Sequence, residues 1–171
     1  ELGIDVVAVG SPRDAVDTDV WITCTTARQW YLGRAHVGPG AFVAAVGADN
    51  AEKQEIEPAL MAASAVVTDI LDQCAVIGDL HHALDAGVMR PSDVRAELAD
   101  VVSGRVVGRV TADEIIVFDS TGTALEDVAA ASLVYERAVA SGRGLDVDLA
   151  GRLTDALGNR ETSNAMRGHS R

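Results

Sequence analysis

The chain has 171 residues and a formal net charge of -12, since 26 acidic side chains outnumber 14 basic ones. This balance excludes a nucleic-acid partner, because binding a phosphate backbone needs clustered Lys and Arg. Hydrophobic residues make up 48% of the chain and aromatic residues only 4%. A core of such small and β-branched side chains favours helices packed on a parallel sheet.

The cysteines and the apolar runs indicate a cytoplasmic protein. Only Cys24 and Cys74 are present, which excludes a disulfide framework and fits a reducing compartment. No run of about 18 apolar residues occurs, and the amino terminus lacks the pattern of a secretory signal. We therefore expect a soluble protein with no membrane partner.

Apolar runs alternate with helical spacings along the chain, which predicts an α/β fold. The predicted strands are residues 4–9, 20–26, 41–46, 65–70 and 114–118. The predicted helices are residues 12–16, 56–63, 71–87, 93–102 and 124–141. Glycine and proline interrupt residues 28–40, which are predicted to be irregular. The strand at 41–46 is apolar on both faces, which predicts a central and parallel position.

Polar residues follow three of the predicted strands. They are Thr23-Cys24-Thr25, Gly47-Ala48-Asp49 and Asp119-Ser120-Thr121-Gly122. Because the carboxyl ends of parallel strands share one edge, we expect these groups to face a common crevice where ligands bind. Asp49 is the best candidate for acid/base chemistry, since a carboxylate at a half-buried strand end can have a raised pKa.

Local structure offers a second interpretation of the same residues. Asp49 or Asn50 could simply cap a turn, as such residues often do. Ser120 and Thr121 could cap the following helix. Gly122 could either admit a ligand or satisfy the turn.

Other motifs point to few alternatives. Lys53 is the single lysine, which indicates either chance or a site that needs a compact ammonium group. His81 and His82 are adjacent, so on a helix they point apart and are predicted to be locally packed or solvated. The chain has no Gly-x-Gly-x-x-Gly segment, no Walker loop and no metal-ligand spacing of Cys and His.

Two motifs together resemble one protein family. The first is PGAFVAAVGAD at residues 39–49, followed by KQEI at 53–56, and the second is FDSTGTALED at 118–127. With VWITCTT at 20–26 and GDL at 78–80, they resemble the carboxy-terminal half of the ornithine cyclodeaminase and mu-crystallin family. The resemblance runs from about residue 3 to about residue 145, and the pair of motifs is specific where either alone is weak.

The resemblance implies an α/β, Rossmann-like parallel sheet flanked by helices and incomplete at its amino-terminal side. Residues 1–123 would form this partial nucleotide-binding domain. Residues 124–150 would be a helix returning to a substrate and dimerisation domain, and a homodimer is expected. Residues 151–171 are polar and are expected to form a flexible tail.

The resemblance also implies a chemistry: hydride exchange between NAD or NADP and the α-carbon of an amino acid or cyclic imino acid. Asp49 would be the catalytic acid/base, and Thr121 and Gly122 would lie near the substrate. The cofactor-binding residues would be Thr23, Cys24, Thr25, Val46, Gly47, Ala48, Lys53 and Ser120.

Two other hypotheses are also consistent with the sequence. The first is a non-catalytic protein that binds NAD(P) or another small ligand, as mu-crystallin-like relatives can be. The second is a Rossmann-like domain of another dehydrogenase family, which leaves the DSTG stretch unexplained. In the favoured reading the glycine fingerprint and the substrate-binding Arg and Lys would lie upstream. We therefore expect this chain by itself to bind NADH weakly or not at all and to show little turnover.

Overall fold

The computed structural model describes residues 3–15 and 17–145. Its strands are β1 (Val20–Thr23), β2 (Arg28–Leu32), β3 (Phe42–Ala45), β4 (Gln54–Ile56), β5 (Ala65–Thr68), β6 (Ala96–Glu97) and β7 (Ile116–Asp119). Its α-helices are α1 (Pro58–Ala62), α2 (Leu71–Ile77), α3 (Asp79–Asp85), α4 (Leu98–Val102) and α5 (Ala124–Ser141).

Five strands form one parallel sheet in the order β1-β3-β7-β5-β6. In the central strand, Val117 pairs with Val43 on one side and with Val66 on the other, and all three valines are fully buried. Strands that are covered on both faces need such continuous apolar runs. The predicted α/β class, with a parallel sheet flanked by helices and β3 inside it, is therefore confirmed.

A second, two-stranded parallel sheet pairs β2 with β4. The prediction of irregular structure over residues 28–40 is wrong for the part that forms β2. Gln54 and Glu55 hide the strand pattern of β4, because they interrupt its apolar residues. Glu55 is nevertheless fully buried, since hydrogen bonds satisfy its carboxylate. Helix α1 consequently begins at Pro58, and not at Ile56 as predicted.

The apolar run at residues 4–9 forms no strand, so the prediction there is wrong. Val6 and Val7 are 82% and 83% exposed. A strand needs a neighbour to accept and donate its backbone hydrogen bonds. Within the described residues no strand pairs with this run, and β1 forms the edge of the sheet.

The predicted helix over residues 71–87 is two helices that break at Gly78. A Cβ added to Gly78 would lie 2.6 Å from Oδ2 of Asp119. The carboxylate of Asp119 also accepts the backbone N–H groups of Asp79 and Leu80, at 3.2 and 2.8 Å. The buried acid thus supplies the acceptors that the first turn of α3 lacks.

The predicted helix over residues 93–102 is also divided. A short 3-10 helix at Pro91–Asp93 leads into β6, and α4 begins only at Leu98. The backbone N–H of Arg95 donates to the carbonyl oxygen of Val66 at 2.8 Å, and its guanidinium pairs with Glu114 at 2.7 Å. These contacts hold the segment at the edge of β5 as a strand.

Two helix predictions hold. Ser11 Oγ accepts the backbone N–H of Arg13 at 3.2 Å, and Pro12 occupies the first position of a 3-10 helix that ends at Asp14. Helix α5 has the predicted bounds. No helix of the described residues is long and apolar enough to cross a membrane.

Contacts divide the chain into two compact units, Glu1–Glu126 and Asp127–Arg171. The sheets and helices α1 to α4 belong to the first unit. Of the second unit, residues 127–145 are described. The tail predicted at residues 151–171 lies outside the described residues.

The close approach at Gly78 predicts the outcome of a substitution. Gly78→Ala places a methyl group against the Asp119 carboxylate, and we expect it to lower the free energy of unfolding by about 1–3 kcal/mol. Urea denaturation followed by circular dichroism measures this loss. Gly38→Ala is the matched control, because a Cβ there meets no atom within 4 Å. Equal midpoints for the two variants would contradict the prediction.

Candidate functional site

The three polar strand ends meet at one edge of the main sheet. Strands β1, β3 and β7 are neighbours and run parallel, so their carboxyl ends lie side by side. The backbone N–H of Val46 donates to Thr23 O at 3.0 Å, and that of Ser120 donates to Ala45 O at 2.9 Å. The convergence predicted from the sequence is therefore confirmed.

The first two strand ends are joined by the carboxylate of Glu55. Its Oε1 accepts the backbone N–H of Thr25 at 2.6 Å, and its Oε2 accepts that of Gly47 at 3.0 Å. Both residues belong to the predicted cofactor-binding set. The side chain that connects them arrives from β4, which lies in the other sheet.

The third strand end is held by Asp69, which follows β5. Oδ2 of Asp69 accepts the hydroxyl of Ser120 at 3.0 Å and the backbone N–H groups of Thr121 and Gly122 at 2.9 and 2.8 Å. Burial raises the pKa of Asp69, but these bonds and one from the Cys74 thiol outweigh it and hold the pKa below its usual value. The loop after β7 is thus ordered by an ionised acid.

The same loop is fixed from its other side by Gln73 on α2. Nε2 of Gln73 donates to Thr121 Oγ1 at 2.7 Å and to the carbonyl oxygen of Gly122 at 3.0 Å. Gly122 has a φ of +82°, a conformation that favours glycine, so it satisfies the turn. The hydroxyl of Ser120 donates to Asp69, and this bond anchors the loop ahead of α5.

Asp49 differs from its predicted state. Its side chain is 59% exposed and forms an ion pair with Lys53, with 2.7 Å between Oδ1 and Nζ. The hydrogen bond from Lys53 lowers the pKa of Asp49, so the expected raised pKa is wrong. The turn is capped by Asn50, whose Oδ1 accepts the backbone N–H of Glu52 at 3.0 Å. Asp49 therefore faces solvent, Lys53 and the Asn50 amide, whose Nδ2 donates to Asp49 Oδ1 at 3.1 Å.

Lys53 is held in place through its backbone. Nε2 of His82 lies 2.8 Å from the carbonyl oxygen of Lys53, so the histidine is locally packed, as predicted. The neighbouring His81 pairs with Asp85 at 3.4 Å. The Lys53 side chain is only 19% exposed although its ammonium contacts an exposed acid.

The remaining residues of the predicted cofactor-binding set also lie at the carboxyl edge of the main sheet. Cys24 is exposed, Val46 is 38% exposed, and Ala48 is buried. Thr23 Oγ1 is buried and makes no hydrogen bond within the part of the chain that the structure describes. This end of the sheet therefore offers both apolar surface, at Val46, and a polar group, the exposed Cys24 thiol.

Two more acids lie beneath this edge, Asp79 and Asp119, and both are fully buried. Asp79 Oδ1 accepts the backbone N–H groups of Glu55 and Ile56 at 2.8 and 2.9 Å. Burial raises the pKa of Asp79 to about 6. Burial and the nearby Asp79 charge raise the pKa of Asp119 to about 8. Both acids therefore keep their protons to a higher pH than an exposed carboxyl group does.

The sequence pattern missed these supporting residues. In the sequence, Asp79 and Asp119 stand out only as members of motifs, and Asp69 and Glu55 carry no predicted role. The signal that could have revealed them is an acid set among apolar residues, since a buried carboxylate persists only where donors compensate its charge. Sequence spacing cannot show which backbone N–H groups those donors are.

A cavity of about 650 Å³ lies at the opposite edge, by the amino ends of β5 and β7. Arg34, Arg95 and Glu114 are among its charged residues. Arg95 and Glu114 already pair with each other, and the Glu114 pKa falls to about 2 because Arg95 donates to it. Ligands of open α/β sheets bind at the carboxyl edge, so the polar strand ends are the better candidate.

Comparison with known proteins identifies the family of the chain. The profile of the ornithine cyclodeaminase/mu-crystallin family matches residues 1–142. The chain belongs to this family. The resemblance seen in its two motifs is thereby confirmed.

Curated members of the family include enzymes of amino-acid and imino-acid chemistry. The chain is 38% identical over 149 residues to iminosuccinate reductase of Paracoccus denitrificans, covering 87% of this chain and 46% of the relative. It is 35% identical over 137 residues to alanine dehydrogenase of Archaeoglobus fulgidus, covering 80% of this chain and 42% of that enzyme. The chain thus spans less than half the length of the curated relatives it matches.

Solved structures of family members share the fold. The iminosuccinate reductase of Paracoccus denitrificans in complex with NAD⁺ matches with a TM-score of 0.74 and 36% identity, over 84% of this chain and 44% of that chain. The Δ1-pyrroline-2-carboxylate reductase of Thermococcus litoralis in complex with NADH and L-proline matches with a TM-score of 0.74 and 31% identity, over 81% and 44%. Both structures hold a nicotinamide cofactor.

The raised pKa values of Asp79 and Asp119 predict a pH dependence of stability. Because both pKa values are raised from 3.8 in the folded state, their contribution is complete below that pH and is lost as pH rises to about 6 for Asp79 and about 8 for Asp119. We expect the urea midpoint to fall between about pH 5 and about pH 8. Asp119→Asn, which is neutral at every pH, should flatten this slope. A midpoint that rises over the range, or a slope unchanged by the substitution, would contradict the raised pKa values.

Proposed function

We propose that the whole protein is an NAD(P)-dependent oxidoreductase acting on an amino acid or cyclic imino acid at its α-carbon. The observation that carries the proposal is the meeting of the strand ends at Thr23–Thr25, Val46–Asp49 and Ser120–Gly122 on one sheet edge. Family members solved with NAD⁺, or with NADH and L-proline, support it. The nicotinamide, when bound, supplies or accepts the hydride.

Eight residues are assigned to the nicotinamide end of the cofactor. They are Thr23, Cys24, Thr25, Val46, Gly47, Ala48, Lys53 and Ser120. The partly exposed Val46 offers an apolar contact to the nicotinamide ring, and the exposed Cys24 thiol offers a polar one. The chain has no glycine fingerprint for a pyrophosphate, so these residues are assigned to this end of the cofactor alone.

Asp49 is assigned the proton transfer. Lys53 keeps the Asp49 carboxylate ionised. In the oxidation direction, Asp49 therefore accepts a proton from the substrate amino group while the C=N bond forms. In the reduction direction the same carboxyl group returns that proton to the nitrogen. The exposed position of Asp49 leaves its second oxygen open to a substrate.

Thr121 and Gly122 are assigned to the substrate. Asp69 and Gln73 hold both residues from two sides, which gives the substrate a rigid surface. We further propose that the protein acts as a homodimer in the cytoplasm. An archaeal alanine dehydrogenase of this fold, at a TM-score of 0.73, is a dimer with bound NAD.

A non-catalytic ligand-binding protein is the second candidate. The observation that favours it is the Asp49–Lys53 ion pair, because a carboxylate already neutralised by an ammonium is a weaker base. The two candidates differ in whether Asp49 is needed for turnover or only lies beside the ligand.

Asp49→Asn separates the two candidates. We expect it to lower the rate of hydride transfer in the whole protein by at least about 100-fold, the usual contribution of a positioned acid/base group. NADH affinity should change by less than about threefold, because the amide keeps the size of the side chain. Substrate-dependent change of NADH absorbance measures the rate, and fluorescence titration measures the affinity.

Asp85→Asn is the matched control, since Asp85 is also an exposed acid with an i,i+4 partner but lies on α3. Its rate should equal that of the unsubstituted protein. If the unsubstituted protein and Asp49→Asn both bind NADH and neither shows turnover, the result would instead support the binding candidate. Full turnover by Asp49→Asn would contradict the role of this residue.

A further inference from the structure

Glu55 is a charged side chain to which the assigned chemistry gives no role. It is 0% exposed and lies between Gln54 and Ile56 on β4. No Lys or Arg of the described residues forms an ion pair with it. A buried carboxylate without a cation is strongly unfavourable unless hydrogen-bond donors surround it. The residues that donate hydrogen bonds to Glu55 therefore indicate its role.

The backbone donors come from two different strand ends, and a third residue, Tyr31 of β2, donates its hydroxyl. Oε1 accepts the backbone N–H and the hydroxyl of Thr25, at 2.6 and 2.7 Å, and the hydroxyl of Tyr31 at 3.1 Å. Oε2 accepts the backbone N–H of Gly47 at 3.0 Å. One carboxylate thus fixes the distance between the loop after β1 and the loop after β3. Charge-assisted hydrogen bonds of this kind are the strong ones in proteins.

Gly47 is adapted to this carboxylate. A Cβ added to Gly47 would lie 2.4 Å from Cδ and from Oε2 of Glu55, and 2.5 Å from Oε1. A side chain at this position would therefore displace the Glu55 carboxylate from its hydrogen bonds. The glycine of the Val46–Asp49 stretch therefore serves to admit Glu55, and it lets the acid reach the backbone two residues before Asp49.

The backbone of Glu55 is also fixed by hydrogen bonds to a buried acid. Its own backbone N–H and that of Ile56 donate to Asp79 Oδ1, and the backbone N–H of Asp79 donates to Asp119 Oδ1. Asp119 ends β7, the strand next to β3. The backbone of Glu55 is therefore tied to the main sheet through two further buried acids.

We propose that Glu55 is a positioning residue for the nicotinamide site, an inference that rests on the proposed function. It sets the separation of Thr25 from the Gly47–Asp49 backbone, which the ring must fit. It contacts neither cofactor nor substrate in this role. Precise spacing of groups around a reacting ring strongly affects binding and rate.

Glu55→Gln in the whole protein tests the proposal. The amide keeps one acceptor oxygen and places an NH₂ group against one of the two strand ends, where it faces an N–H donor. We expect the NADH dissociation constant to rise about tenfold, which corresponds to about 1.4 kcal/mol. Amide hydrogen exchange at Thr25 or Gly47 should also accelerate.

Glu57→Gln is the matched control. Glu57 Oε2 accepts the backbone N–H of Arg34 at 2.8 Å, and a Cβ at Gly33 would lie 2.6 Å from that oxygen. Arg34 lines the cavity at the opposite edge. This substitution makes the same chemical change at a half-buried acid away from the strand ends, so it should leave the NADH dissociation constant unchanged.

Tyr31→Phe is the milder second variant, for use where Glu55→Gln fails to fold. It removes one donor to Oε1 and should raise the dissociation constant by about threefold, less than the loss of the carboxylate does. An unchanged constant in every folded variant, whatever their melting temperatures, would overturn the role of Glu55. Failure of the unsubstituted whole protein to bind NADH would instead contradict the proposed function.

Discussion

The structure depends on buried acidic side chains that accept hydrogen bonds from backbone N–H groups. Four such acids, Glu55, Asp69, Asp79 and Asp119, lie at or near the carboxyl edge of the sheet. Within the described residues none of them pairs with Lys or Arg. Each accepts N–H groups of a loop, of a helix start or of the short strand β4. The buried acids are tolerated because those donors would otherwise be left unpaired, which is also costly.

This arrangement explains why a small-residue core supports an ordered site. Valine and alanine strands bring backbones close together but offer no side chain that could fix a loop. The acids supply that function: Asp69 orders the loop that follows β7, and Glu55 spans the loops after β1 and β3. Loss of one acceptor would leave several N–H groups unpaired, so the loops depend on one another.

Periodicity and turn residues predicted the main parallel sheet, helix α5 and the common edge of the three strand ends. Those features arise from local pattern and from the shared direction of parallel strands. The break at Gly78 and the strand at Gln54–Ile56 were missed, because both depend on a carboxylate distant in sequence. The strand predicted at residues 4–9 does not form for a related reason, since a strand needs a neighbouring strand for its backbone hydrogen bonds.

Asp49 shows the same limit within the site itself. Its position after a buried strand was predictable, but its ionisation was not, because that depends on Lys53 closing an ion pair across the turn. A family motif can assign a residue to a role, and only the local charges decide which protonation state it starts from.

A nicotinamide cofactor that binds at the carboxyl edge of the main sheet should shield the strand ends from solvent. Hydrogen exchange of the whole protein, followed by mass spectrometry with and without NADH, measures this shielding. We expect slower exchange in segments 23–27, 46–53 and 119–123, where the three strand ends meet. Slower exchange confined to residues 62–65 and 92–95, which line the cavity at the opposite edge, would contradict binding at the carboxyl edge.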